Sequence, residues 1–159
     1  MLTSLREEEC FVYRNVITYE ESDDPSEIVD KALMITMGKK YFRELLVGFD
    51  PGKTIGLALV GDGKTLRTES RITVEEAVNN ILKFFDRFRS ERLIVRIGEG
   101  TTEYHQSLIS EIQSAKVPEL VIELVDESGT TKKSKSSIRT IPLDEEAAVR
   151  IAKNEGERI

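Results

Sequence analysis

The sequence has one cysteine (Cys10), one histidine (His105) and no tryptophan in 159 residues. A single thiol excludes an internal disulfide framework and fits a reducing, cytoplasmic setting. One Cys and one His, with no CxxC pair, exclude a zinc site of ordinary ligand type. His105 also lacks a Cys or Ser partner for nucleophilic work, so it reads as a surface or packing residue. Amides are scarce: Gln106 and Gln113 are the two glutamines, and there are four asparagines. With 33% charged residues, this is the composition of a hyperthermophile protein. No apolar run approaches a membrane span and the N-terminus carries no signal-peptide pattern, so no membrane partner is expected. The net charge of −6 argues against broad non-specific nucleic-acid binding but leaves room for a local basic patch.

What the chain does have is one long apolar stretch broken by a single acid. Leu45-Leu46-Val47-Gly48-Phe49 runs up to Asp50, then Pro51-Gly52-Lys53-Thr54, then Ile55-Gly56-Leu57-Ala58-Leu59-Val60. Unbroken runs between turn signals read as strands buried on both faces. Four intervening residues are too few for a crossover helix, so the second strand must return antiparallel. Asp50 then ends a central strand, where a lone negative charge is costly unless it is paired or bound to a cation. Gly52-Lys53-Thr54 is reminiscent of a phosphate-binding loop. However, Gly48 lies one residue too close to Gly52, and a strand pattern follows where such a loop needs a helix N-terminus.

The length suits one domain, residues 44–159, with an N-terminal extension, residues 1–43. In the extension Phe11–Tyr19 reads as a possible strand. Asp24-Pro25-Ser26-Glu27 starts a short helix, with Asp as N-cap and Pro at the first helical position, and Gly38 ends it. In the domain, Gly61-Asp62-Gly63-Lys64 is a hairpin turn leading to an alternating edge strand through Leu66, Thr68, Ser70 and Ile72. Thr73-Val74-Glu75-Glu76 is a capping box, after which Val74, Ala77, Val78, Ile81, Leu82, Phe85 and Phe88 recur at helical spacing as a core-facing stripe. Leu93–Ile97 is a fourth strand, about Thr102 to Ala115 a helix, and Leu120–Val125 a fifth strand. Residues 128–141 are a long loop, and Pro142 opens a last helix to about Asn154. The order β-β-β-α-β-α-β-α predicts an α/β domain. Its mixed five-stranded sheet has three antiparallel then two parallel strands, flanked by helices.

Asp50, Glu99 and Glu127 each stand just past the C-terminal end of an apolar strand, the edge where open α/β sheets bind ligands. In the last helix, Asp144 shares a face with Ala147, Ala148 and Ile151, so it points toward the sheet. Four clustered acids are most simply reconciled by a hard divalent cation, Mg²⁺ or Mn²⁺, with oxygen ligands. A pair of such ions suits phosphodiester cleavage. Lys132, Lys133, Lys135 and Arg139 in the loop after Glu127 are candidate phosphate contacts, as is Lys53 in the first turn. A solvated loop and an ordinary surface lysine are the competing readings.

Gly48-Phe49-Asp50-Pro51-Gly52 with Gly56-Leu57-Ala58 resembles the first strand of RuvC-type and YqgF-type nucleases of the ribonuclease H fold. Val125-Asp126-Glu127 with Thr130-Thr131 resembles the Asp-Glu-Arg-x-Thr-Thr stretch of YqgF-type proteins, and Asp144-x-x-Ala147-Ala148 their C-terminal helix. Ile97-Gly98-Glu99-Gly100-Thr101-Thr102 and Glu127-Ser128-Gly129 also resemble the YqgF-like domain of the Tex transcription factors. The resemblance implies a metal-dependent nuclease acting on branched DNA, as in Holliday junction resolution, or on structured RNA, as in pre-ribosomal RNA processing. It makes Asp50 the first acid and Asp144 the last. The second acid is Glu99 by the RuvC-type pattern and Glu127 by the YqgF-type pattern. Ser128 replaces the Arg of the YqgF-type motif, the fourth strand lacks that group's Leu-Pro, and the extension has no counterpart. Tex-like domains often lack the full acidic set, which keeps open an inactive module that binds nucleic acid or a protein partner. A junction resolvase needs two active sites, hence a homodimer.

Overall fold

In the computed structural model, which describes residues 2–10, 12–13, 15–99, 103–126 and 142–159, the chain divides into two units, Met1–Tyr41 and Phe42–Ile159. In the first unit, β1 (Leu2–Ser4) pairs in parallel with β2 (Ile17–Tyr19), with a 3₁₀ helix at Leu5–Cys10 between them. The strand expected at Phe11–Tyr19 is thus reduced to its last three residues among those described. Helix α1 (Pro25–Thr36) starts as its sequence dictates: the Asp24 side chain accepts from the Ser26 N–H and Pro25 opens the helix. It ends at Gly38, whose positive φ of 63° lets the next amides turn back to the last carbonyls of the helix.

The second unit is an α/β layer structure. The sheet strands are β3 (Phe42–Pro51), β4 (Ile55–Gly61), β5 (Lys64–Ile72), β6 (Ser90–Gly98), β7 (Val121–Val125) and β8 (Glu157–Arg158). Their spatial order is β5-β4-β3-β6-β7-β8. β4 is antiparallel to β3 and β5, while β6 and β7 run parallel to β3 and β6 respectively. The turn between β4 and β5 places Asp62 and Gly63 at φ 46° and 80°, and Asp62 also accepts from the backbone N–H groups of Arg43 and Glu44. Among the described residues the sheet has six strands, not the expected five. β8 adds an antiparallel pair to β7 through Glu123 and Leu124. Two charged residues carry no alternation, so this edge strand leaves no signature in the sequence.

Strand alternation assigns the two faces. Leu46, Ala58, Val60 and Ile94 cluster with Ala148 and Ala152 of α4 (Leu143–Lys153) on one face. On the other lie Phe49, Leu57, Leu59 and Val95, with α2 (Val74–Arg87) and α3 (Glu103–Ser114), which pack against each other. The capping box of α2 forms as written: Glu76 N–H donates to Thr73 Oγ1, and Thr73 N–H donates to the Glu76 carboxylate. The buried stripe of α2 is Ala77, Ile81 and Phe84, continued by Phe88. Leu82 and Phe85, expected in the core, are 41% and 44% exposed. At 100° per residue the Ala77–Ile81–Phe84–Phe88 stripe adjoins the Val74–Val78–Leu82–Phe85 stripe, and the helix buries the first. Phe88 packs edge-on against Phe42 and beside Phe84, with ring centroids 6.1 and 6.3 Å apart. No helix among the described residues is long and apolar enough to cross a membrane.

Candidate functional site

The α4 face is built for close backbone approach. A Cβ on Gly48 would overlap the Ala148 carbonyl oxygen and lie 2.6 Å from the Ala152 nitrogen. A Cβ on Gly56 would overlap the Asp144 carbonyl oxygen and come within 3.0 Å of the Asp144 Cβ. Two glycines on adjacent strands therefore let α4 seat directly on the sheet, with small Ala148 and Ala152 beneath it. Gly56 is the register partner of Asp50. The first turn of α4 thus lies over the strand pair that ends in Asp50.

Both ends of α4 are tied to the sheet. At its N-terminus, Thr54 Oγ1–H donates to Asp144 Oδ2 at 3.0 Å, and Thr68 Oγ1–H on β5 donates to Glu145. At its C-terminus, Arg96 Nη1 donates to the Ala152 carbonyl at 2.8 Å, while Arg96 Nε donates to Glu123 at 2.7 Å. The Arg96 side chain is 7% exposed and that of Glu123 16%. A guanidinium at that position satisfies a terminal helix carbonyl and complements the helix dipole.

These ties bring Asp50 and Asp144 together. Partial burial pushes the Asp50 carboxyl above its ordinary value, the nearby Asp144 charge adds to that rise, and the Arg150 guanidinium partly offsets it. Two half-buried carboxylates on one sheet edge, with one hydroxyl donor and one partly compensating cation, form a hard-oxygen donor pair. That donor chemistry fits Mg²⁺ or Mn²⁺.

Glu99 follows β6 directly, is exposed, and donates its backbone N–H to the Val125 carbonyl at 2.9 Å. Among the described residues no three His, Cys, Asp or Glu side chains are grouped to hold a metal ion, so Glu99 does not join Asp50 and Asp144 in such a set. Lys53 is exposed in the turn between β3 and β4. Glu127, Lys132, Lys133, Lys135 and Arg139 lie outside the described residues. His105 is a buried packing residue of α3.

Sequence reasoning missed Thr54, Arg150 and the Arg96–Glu123 pair. A lone Arg in the apolar run Leu93–Ile97 and a lone Glu in Val121–Val125 were the available signals for that pair. Their adjacency depends on the β6–β7 register, which sets Arg96 opposite Glu123. Arg150 sits six residues after Asp144, about 240° around the helix, so no helical-wheel argument places it within reach of Asp50. Comparison of the chain with models of known protein families and with curated proteins gives no match.

Proposed function

We propose that the second unit is a Mg²⁺- or Mn²⁺-dependent endonuclease of ribonuclease H-like fold, acting on branched DNA or structured RNA. The observation that carries this reading is the juxtaposition of Asp50, at the end of the central strand, with Asp144, at the start of the helix lying on that strand. Three antiparallel strands followed by two parallel ones, centred on the strand that bears Asp50, support the same fold assignment. So does the resemblance of the Asp50 and Asp144 segments to RuvC-type and YqgF-type nucleases.

In this reading Asp50 and Asp144 supply the central carboxylates, and Glu127, which lies outside the described residues, is the candidate for the third acid. A bound Mg²⁺ or Mn²⁺ pair would supply activation of water and stabilisation of the leaving oxygen. Thr54 holds the Asp144 carboxylate in one orientation. Lys53, with Lys132, Lys133, Lys135 and Arg139, draws phosphates toward the acidic edge. A homodimer would present two such sites to a four-way junction.

The test is a cleavage assay with Mn²⁺ on a four-way DNA junction, a single strand and a structured RNA. Wild type is expected to cut at least one substrate and a folded Asp50→Asn variant none. A second reading, an inactive module on the same fold, is favoured by one observation: among the described residues no third acid joins the pair. It predicts no cleavage, and nucleic-acid or protein binding that is indifferent to Asp50→Asn.

A further inference from the structure

Six of the twelve residues of α1 are Ile, Val, Ala, Leu or Met, and none of them is buried. The buried residue of this helix is Asp30. At 100° per residue, Ile28, Ala32 and Ile35 lie about 140–200° around the helix from Asp30, on the side turned away from it. Val29 flanks them and is 60% exposed, and Ile35 is 38% exposed. An apolar stripe at this i, i+4, i+7 spacing is normally packed against another element. The first unit has little else to hold it. Among its described residues Ile17 is the only buried apolar side chain. A unit of about forty residues on so small a core usually needs a disulfide, a metal or a partner chain, and a lone cysteine supplies no internal disulfide.

The two ends of α1 carry opposite charge. Asp23 and Asp24 stand at its start, and Lys39 and Lys40 follow its last turn. The Asp24 cap and the return of the Lys39 N–H to the Met34 carbonyl fix both charged ends to the helix. Their spacing makes the pattern self-complementary. Asp24 lies four residues before Ile28, and Lys39 four residues after Ile35; Asp23 and Lys40 each lie one residue further out. Two α1 helices crossing antiparallel about Ala32, with Ile28 of each on Ile35 of the other, therefore bring both aspartates of each copy to the lysines of the other. The same arrangement sets the helix dipoles head to tail. The small Ala32 lets the two axes approach closely at the centre.

We infer that α1 is the contact by which a second copy of this chain docks, as an antiparallel two-fold pair. A parallel pair would set aspartates against aspartates and lysines against lysines. One face of a twelve-residue helix is small against the roughly 800 Å² per partner of a stable interface, so the dimer forms in the micromolar range. This pairing follows from α1 alone and does not rest on the nuclease reading.

The test is sedimentation velocity of the full chain from low micromolar to submillimolar concentration, with helicity followed by circular dichroism. Wild type is expected to pass from monomer to dimer across that range. Ala32→Glu puts two like charges at the two-fold axis on a residue that suits a helix, and is expected to stay monomeric. Lys39→Glu with Lys40→Glu leaves the apolar stripe intact and is expected to weaken the dimer about tenfold. In a Cys10→Ser background, chains carrying Ile28→Cys are mixed with chains carrying Ile35→Cys and oxidised. The expected product joins one chain of each kind. A wild type that is monomeric at every concentration would overturn the inference, the stripe then being covered within the chain. A dimer of undiminished strength in folded Ala32→Glu would overturn it too, because the contact would then lie elsewhere. Disulfides that join only chains of the same kind would reject the antiparallel pair.

Discussion

The two faces of the sheet are made from the same strands but do different work. Under α2 and α3 the side chains are large hydrocarbons: Phe49, Leu57, Leu59, Phe84, Phe88, Leu108 and Ile112 are buried. Under α4 the strands instead offer Gly48, Gly56 and Ala58, and polar groups reach the helix at both ends. The first face gets its strength from area removed from water. The second gives up area for proximity: glycines lower α4 onto the sheet until Asp144 sits beside Asp50. The bulky face holds the domain together, and the small-residue face places charge where charge is otherwise costly.

This contrast can be broken from either side. On the bulky face, Phe84→Ala is expected to cost about 3–5 kcal/mol of unfolding free energy in denaturant titration. Any cation affinity measured below the transition should stay unchanged. On the other face, Arg96→Met strands the Glu123 carboxylate and leaves the Ala152 carbonyl without its donor, a loss of about 3–5 kcal/mol. Adding Glu123→Leu should restore much of that stability, which a double-mutant cycle would show. Gly56→Ala comes next, at about 1–3 kcal/mol, because the new methyl meets the Asp144 backbone. Unlike Phe84→Ala, it should also weaken Mn²⁺ binding, since it lifts Asp144 away from Asp50. The smallest effect belongs to Thr54→Val, at most about 1 kcal/mol for one exposed hydrogen bond to Asp144.

Asp50→Asn should act with the opposite sign. The Asp50 carboxyl is pushed upward in the folded state, so its contribution to stability is fully present below its ordinary value of 3.8. That contribution is lost as pH rises through the folded value. At neutral pH the charged Asp50 therefore costs stability, and Asp50→Asn should unfold at a higher temperature than wild type. The gap should close on acidification. Mn²⁺ should stabilise wild type and leave Asp50→Asn unmoved.

Much of this architecture was legible because it is local. The Leu45–Val60 hairpin, the Thr73–Glu76 capping box and the Asp24 cap each depend on residues within a few positions of one another. The inward side of α4 was also legible, because Asp144, Ala147, Ala148 and Ile151 share one helical stripe. What failed was either short or set by register. β8 has two charged residues and no pattern. The choice between Phe84 and Phe85 turned on which of two adjacent stripes the sheet would take. Arg96 meets Glu123 only because β6 and β7 align as they do, 27 residues apart in sequence. At the candidate site, Asp50 and Asp144 were each marked by an acid in an apolar context. Thr54, an unremarkable turn residue, was not.

The proposed cation site at the carboxylate edge of the α4 face is tested by paramagnetic broadening of backbone resonances by trace Mn²⁺. Selective loss of signal is expected around Asp50, Gly56 and Asp144 in wild type, absent in a folded Asp50→Asn variant. Broadening scattered over the surface acids, or the same broadening in both proteins, would contradict it.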